Sequence, residues 1–377
     1  MPCRILYPSP YLYGVCLLAA LGLFFSTAPM ATMATGRPLR VHVLDVGQAD
    51  CIIVESPSGK LLVVDVGEDP QRPGNEASIL YNYLGQGLNR QVIDYLLITH
   101  YHEDHLGWPR DILPTGLFYL HRQAGISIRK VIDRGLDIIS DSPLCQKYGE
   151  WVKTSGLRRE TIEFRSREQP SQIDLGDGIL IDVIAFNSQF DRGKGDIILH
   201  DPAEQMQASE HNFSIVFVLH YAKFDMYLGG DVCGYQRGTL RDIESRFLHR
   251  LREVEVCKVS DHGSVWASRL ELVEALRPEV SIISCGRGYG MPHRETVEKL
   301  LGFRDPASGK PLGSDVYQTG GQDGFISSRP HPETGKVQVV TTGPIIIETD
   351  GQKSFYVKYK GNVQEYLLDE GGPYRNK

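Results

Sequence analysis

The stretch Val92–Gly107, VIDYLLITHYHEDHLG, decides how the rest of the chain is read. Val92, Ile93, Tyr95, Leu96, Leu97 and Ile98 form a short apolar run interrupted by Asp94, the pattern of a buried strand. The apolar character stops at Thr99, and His100, His102, Asp104 and His105 follow within six residues. Two apart on an extended backbone, His100 and His102 face the same side. A helical turn next would swing Asp104 and His105 toward a second point nearby. Gly107 lets the backbone pass close to whatever lies there. Imidazoles with one carboxylate suit zinc, iron or manganese, and two adjacent groups of ligands suit a metal pair.

Working outward, the chain of 377 residues is long enough for one large domain or two small ones, and its 41% hydrophobic and 23% charged residues are those of a globular protein. A net charge of -7 excludes non-specific nucleic-acid binding through bulk charge and leaves room for a local basic channel. The seven cysteines form no C-x-x-C pair, and several lie in apolar runs such as IISC and VEVC, which reads as buried reduced thiols. Val15–Phe25, VCLLAALGLFF, resembles the core of a signal peptide and is short for a membrane span. Translation from Met30 or Met33 would leave a cytoplasmic protein; otherwise residues 12–28 export or anchor it. We therefore divide the chain into a leader (1–36), a main domain (40–345) and a C-terminal strand-bearing extension (346–377).

In the main domain, residues 40–66 read as strands and a hairpin turning at Pro57-Ser58-Gly59, whose arms end in Asp45-Val46-Gly47 and Asp65-Val66-Gly67. Acids at strand ends beside glycine deliver polar groups to an edge or simply cap turns. Helices are expected at 74–88, 148–154, 237–252, 269–276 and 295–301. Strands are expected at 130–137, 175–186, 213–230 (a hairpin), 254–259 and 280–285, and in the tail at 316–318, 336–340, 345–348 and 355–359. The polar stretch 187–210 reads as a mobile insertion. Strand, polar terminus and helix recur, and the termini carry Asp231, His262 and His293. The pattern predicts an α/β, αββα four-layer sandwich of two mixed sheets with one site along an edge.

The pieces LDVGQADCIIVESPSGKLLVVDVG, LLITHYHEDHLG, FDMYLGGD, KVSDHGS and IISCGRGYGMPH resemble the metallo-β-lactamase-fold hydrolases, and in particular a stand-alone member of the branch like the C-terminal domain of the competence protein ComEC. The resemblance implies two divalent metal ions, zinc or manganese. His100 and His102 would bind the first, Asp104 and His105 the second, and Asp231 would bridge them. His262 matches a histidine of the family's HHGS motif, and Asp45 and Asp50 would orient ligating imidazoles. Two departures stand out: Asp261 replaces one histidine of HHGS, and Met291 replaces the histidine of YGHP, with His293 as a substitute ligand two residues on. His211 could be a third ligand of the first metal, and reads more simply as a surface histidine.

The reaction expected is hydrolysis by a metal-bridged hydroxide, with Asp104, Asp231 and His262 as catalytic groups and a phosphodiester or nucleic-acid-like substrate. Arg129, Lys130, Arg134, Arg158, Arg159, Arg287 and Arg294 could line a phosphate groove or be ordinary surface charges. Two rival readings remain: a catalytically weakened, metal-stabilised scaffold that binds a partner, and a lactonase or thioesterase of the same fold.

Overall fold

Alternation along the strands sorts apolar residues onto two faces, and that sorting builds the layers. The computed structural model describes residues 36–69, 76–123, 125–138, 140–165, 169–190 and 208–368. In these, the chain opens with β1 (Leu39–Val43), β2 (Ile52–Glu55), β3 (Leu61–Val64), β4 (Val92–Ile93), β5 (Tyr95–Ile98), β6 (Ser127–Ile128), β7 (Val131–Asp133) and β8 (Arg159–Thr161). Next come β9 (Leu180–Phe186), β10 (Gln189–Phe190), β11 (Val216–Tyr221), β12 (Phe224–Leu228), β13 (Val256–Lys258), β14 (Val280–Ile283), β15 (Asp315–Gln318) and β16 (Gln338–Val340). The last, β17 (Ile345–Thr349), β18 (Ser354–Tyr359) and β19 (Asn362–Leu367), return to the first sheet.

The first sheet runs β19-β18-β17-β1-β2-β3-β5-β7-β8 and the second β10-β9-β11-β12-β13-β14-β15-β16, while β4 and β6 pair by themselves. Val41, Val54, Leu62 and Leu97 of the first sheet share one core with Phe217, Met226, Leu228 and Ile282 of the second. On the outer face of the first sheet, Ile53, Val63 and Ile98 pack under α1 (Glu76–Asn82), α3 (Gly116–Arg122) and α4 (Pro143–Ser155). The short α2 (Glu103–Leu106) lies between α1 and α3 in the chain. On the outer face of the second sheet, Val218, Tyr227 and Cys257 meet α5 (Glu244–Phe247) and α6 (Leu270–Leu276), and Ile283 and Val316 meet α7 (Arg294–Gly302). The result is the expected order of helix, sheet, sheet and helix layers.

Several local expectations are corrected. Asp94 splits the apolar run into β4 and β5, because its carboxylate accepts the Leu61 N–H at 2.9 Å and pairs with Arg129 at 2.5 Å. The helix expected over 237–252 shrinks to α5 and a 3-10 turn, Leu248–Arg250; Arg237 and Leu240 form an isolated bridge instead. Helix α4 begins earlier than expected, since Ser142 Oγ accepts the Leu144 N–H and Pro143 occupies the first turn. Strand β19 is an exposed edge with no apolar alternation to announce it. Of the tail strands, β15 and β16 extend the second sheet, while β17 and those after it belong to the first, β17 pairing antiparallel with β1 from Leu39↔Thr349 to Val43↔Ile345.

Cys51, Cys145, Cys233, Cys257 and Cys285 are buried and free. Among the described residues no helix is long and apolar enough to cross a membrane. The leader up to residue 35 with Cys3 and Cys16, residues 74 and 75 and most of the polar stretch 187–210 lie outside the described residues.

Candidate metal centre

Every side chain of the centre hangs from a strand end or from the turn beside it. β5 ends at Ile98, and Thr99 is fixed by Asp65, whose carboxylate accepts from the Thr99 N–H at 2.8 Å and from Thr99 Oγ1 at 2.7 Å. His100, Tyr101 and His102 follow in extended backbone before α2. The turn of α2 rests on the strip after β3: the Val66 N–H donates to His105 O, the Glu68 N–H to Glu103 O and the Asp50 N–H to Asp104 O. Glycine is required at position 67, because a Cβ there would lie 1.9 Å from Asp104 O.

β12 delivers Asp231 through Gly229-Gly230, and the Asp231 N–H donates to Ser214 Oγ at 3.3 Å. β13 leads to Asp261 and His262, which both sit in left-handed backbone with φ 49° and 50°. Such a pair without glycine persists where the surroundings enforce it, and it is a feature of functional loops. His211 comes from a single turn, Glu210–Phe213, just before β11.

Asp231 Oδ2 stands amid four imidazoles: 4.0 Å from His100 Nε2, 3.2 Å from His105 Nε2, 3.6 Å from His211 Nε2 and 3.5 Å from His262 Nε2. His100, His102 and His211 form one group of ligand-capable atoms, and Asp104, His105, Asp231 and His262 a second, with all atoms of each group within 4.8 Å of one another. The outer nitrogens are held from behind. His105 Nδ1 lies 2.8 Å from Asp65 Oδ2, and His262 Nδ1 donates to Ser284 O at 2.9 Å, so each Nε2 faces the centre. Asp50 accepts from Lys258 Nζ at 2.8 Å, with His262 Nδ1 3.9 Å from its other oxygen.

Metal ions fit these residues. His105 Nε2, His262 Nε2 and both Asp231 oxygens are buried and make no hydrogen bond. Burying such atoms unpaired costs about 1–3 kcal/mol each, a cost that cations at the centre remove. The mixed imidazole and carboxylate donor set suits zinc and manganese alike.

The two groups differ in charge. Burial, then repulsion from His105 and His102, holds the His100 imidazole well below its ordinary pKa. Burial and His211 bring His102 down to about 4. Burial also pulls on His262, but Asp231 leads the carboxylates that carry it up to about 9. Burial is outweighed likewise at His105, which Asp231, Asp65 and Asp104 raise well above its usual value. Burial lifts the Asp261 carboxyl to about 6, against the pull of His211.

The structure brings together His100, His102, Asp104, His105, Asp231 and His262. His211, read from the sequence as a surface histidine, faces Asp231 and joins the first group. Asp261 shares a third group with His211 and Asp231, so the carboxylate replacing the family's histidine still reaches the centre. His293 belongs to none of these groups: it precedes α7 as its N-cap, and its backbone N–H donates to Gly263 O. Met291 lines the pocket above the centre, where its sulfur accepts from Gln48 Nε2 at 3.3 Å. Asp45 is in none of the groups, and the residue that orients His105 is Asp65, which the sequence showed only as an acid before Val-Gly.

The cations singled out from the sequence do not gather there. Arg134 is buried against Glu210 at 2.7 Å, and Arg159 pairs with Asp133 at 2.6 Å. Arg129, Lys130 and Arg158 line a separate pocket with Lys60, Asp94 and Tyr95. Arg294 pairs with Glu298 and covers the Phe325 ring, and Arg287 bonds Gln322. The pocket over the centre holds about 570 Å³ and has Asp104, His102, His211 and His262 in its floor.

Fold and motif together define the class, a metallo-β-lactamase fold. Residues 44–116 match the family model described as the metallo-beta-lactamase superfamily. Among solved structures, the metallo-beta-lactamase fold protein YhfI from Bacillus subtilis is similar at 12% identity, with 76% of this chain and 98% of that one covered and a TM-score of 0.42. A diphosphatase from the PhnP family is similar at 10% identity, covering 88% and 98%, with a TM-score of 0.38. CmlA, a diiron beta-hydroxylase from Streptomyces venezuelae, is similar at 13% identity, covering 66% and 45%, with a TM-score of 0.36. Against the curated proteins the sequence finds no match.

Proposed function

We propose that this protein is a metal-dependent hydrolase that cleaves an ester bond, a phosphodiester first among the choices. His100, His102 and His211 would hold one divalent cation, Asp104, His105 and His262 the other, with Asp231 between them. The observation that carries the reading is Asp231 Oδ2 within 4.0 Å of four imidazole nitrogens that come from three separate segments. Such a pair, when bound, supplies a water acidic enough to ionise near neutral pH and a Lewis acid for the attacked centre.

The chain's own residues do the rest. Asp65 and the Ser284 carbonyl keep His105 and His262 turned so that Nε2 faces inward. Asp231 orients the attacking water by accepting its hydrogen bond. Asp104 also lines the pocket floor, where the carboxylate oxygen not given to the cation would be placed to exchange a proton with the leaving oxygen. The motif resemblance to the ComEC-like branch supports a phosphodiester over a lactone or thioester.

Elemental analysis of the purified protein, with parallel assays of a bis-aryl phosphate, a lactone and a thioester in zinc and in manganese, tests this. Two bound ions and turnover of the phosphate, lost in Asp104→Ala, are expected. One tight ion with no turnover would instead indicate the partner-binding scaffold. Full activity of Asp104→Ala at unchanged metal content would overturn the mechanism.

A further inference from the structure

The pocket above the centre says what kind of ester enters it. Its volume of about 570 Å³ is that of a site for one small molecule. Trp108, Trp266, Tyr289, Leu144, Leu240 and Met291 supply apolar and aromatic walls. The charges that the walls add to the metal ligands are negative: Glu103, Asp141 and Asp261. No lysine or arginine lines the pocket among the described residues. Arg110 answers Glu103 at 3.1 Å, and Arg237 lies over the Trp266 ring, 4.1 Å from its centroid; neither contributes to the lining. Asp141 is fixed in place, its Oδ1 accepting the Glu210 N–H at 2.9 Å.

A polynucleotide draws most of its affinity from phosphates neutralised by lysine and arginine, and single strands are held where such cations accompany stacking aromatics. Among the described residues the aromatics are present without the cations, and a phosphate flanking the reacting one would meet acids. We infer, resting on the hydrolase reading, that the natural substrate is a small ester whose non-reacting part is uncharged and either flat or aliphatic, and that Trp108 and Trp266 grip that part.

The metal-loaded protein is assayed with thymidine 5′-(4-nitrophenyl phosphate), with the same ester carrying a 3′-phosphate, and with bis(4-nitrophenyl) phosphate. The aryl diester is expected to be turned over best, the 3′-phosphate to raise KM at least about tenfold, and kcat/KM for the aryl diester to change less than about twofold between 50 and 500 mM KCl. Trp266→Ala is expected to raise KM for the aryl diester about tenfold at unchanged metal content. Trp266→Leu, which keeps apolar bulk but not the flat face, gives a smaller rise and guards against misfolding.

Equal or better turnover of the 3′-phosphorylated ester, or a steep fall with salt, overturns the inference. Should no ester turn over, the hydrolase reading fails while the pocket is still tested by binding. Two of the three tryptophans line the pocket. Quenching of their fluorescence by phenylphosphonate at lower concentration than by thymidine 3′,5′-bisphosphate supports the pocket's preference, and the reverse order refutes it.

Discussion

Each half of the centre is braced by a buried glutamate, and the two glutamates are held in different ways. Glu210, next to His211, accepts from Arg134 Nε at 2.7 Å and Nη2 at 2.8 Å, from the Tyr101 N–H at 2.8 Å and from Ser140 Oγ. It thereby ties the His211 turn to the peptide between His100 and His102. Burial raises its carboxyl, and Arg134 more than reverses this, leaving it below the ordinary range. Glu244 braces the loop after His262 by accepting the main-chain N–H groups of Ser268 at 2.7 Å and Arg269 at 2.8 Å. Lys299 attracts it through space while its own Nζ donates to Ser268 O, and burial lifts the Glu244 carboxyl to about 7. The first brace is therefore a permanent ion pair, and the second gains a proton close to neutrality.

The largest effect is expected from Glu210→Gln, which strands the buried Arg134 charge. A loss of about 3–5 kcal/mol in denaturant unfolding is anticipated, with metal lost from the first half. A variant within 1 kcal/mol of the parent would show that the ion pair is no brace.

Next is the pH dependence of the metal-free protein. The folded Glu244 carboxyl titrates at about 7, above its ordinary value of 4.5, so its contribution is complete below pH 4.5 and lost as pH rises through 7. Unfolding free energy should fall by up to about 3 kcal/mol over that window, and Glu244→Gln should flatten the curve. An unchanged slope in the variant would place the titration elsewhere.

Asp65→Asn is expected to weaken metal binding about 10–100-fold by competition with a chromogenic chelator, while far-UV circular dichroism stays the same. The smallest change is expected from Asp45→Asn, outside every ligand group: metal affinity within about twofold and stability within about 1 kcal/mol. A loss matching that of Asp65→Asn would restore the role that its place before Val-Gly suggested.

What could be read in advance were features written locally. The histidine run lies within six residues, and the alternation in a strand such as LRVHV repeats every second position. The braces could not be read this way. Arg134 looked like a surface cation because nothing near it in the chain announces Glu210, 76 residues on. Asp65 reaches His105 across 40 residues, and acids before Val-Gly cap turns too often to single one out. His211 ends a polar stretch, and its partner Asp231 is brought near by the β11–β12 hairpin. The helix expected over 237–252 failed for a related reason. Its apolar spacing serves packing of Ile243, Phe247 and Leu251 on the second sheet, which one short turn already achieves.

The register of β1 against β17 also bears on how the molecule is made. β1 leaves the ribosome about three hundred residues before its partner, Ile345 to Thr349. Until then the flank of β1 that β17 will cover presents unpaired amides, a ready template for another nascent chain. Completion of the first sheet therefore waits until Thr349 has been made, and synthesis halted before Ile345 would release a polypeptide prone to aggregate.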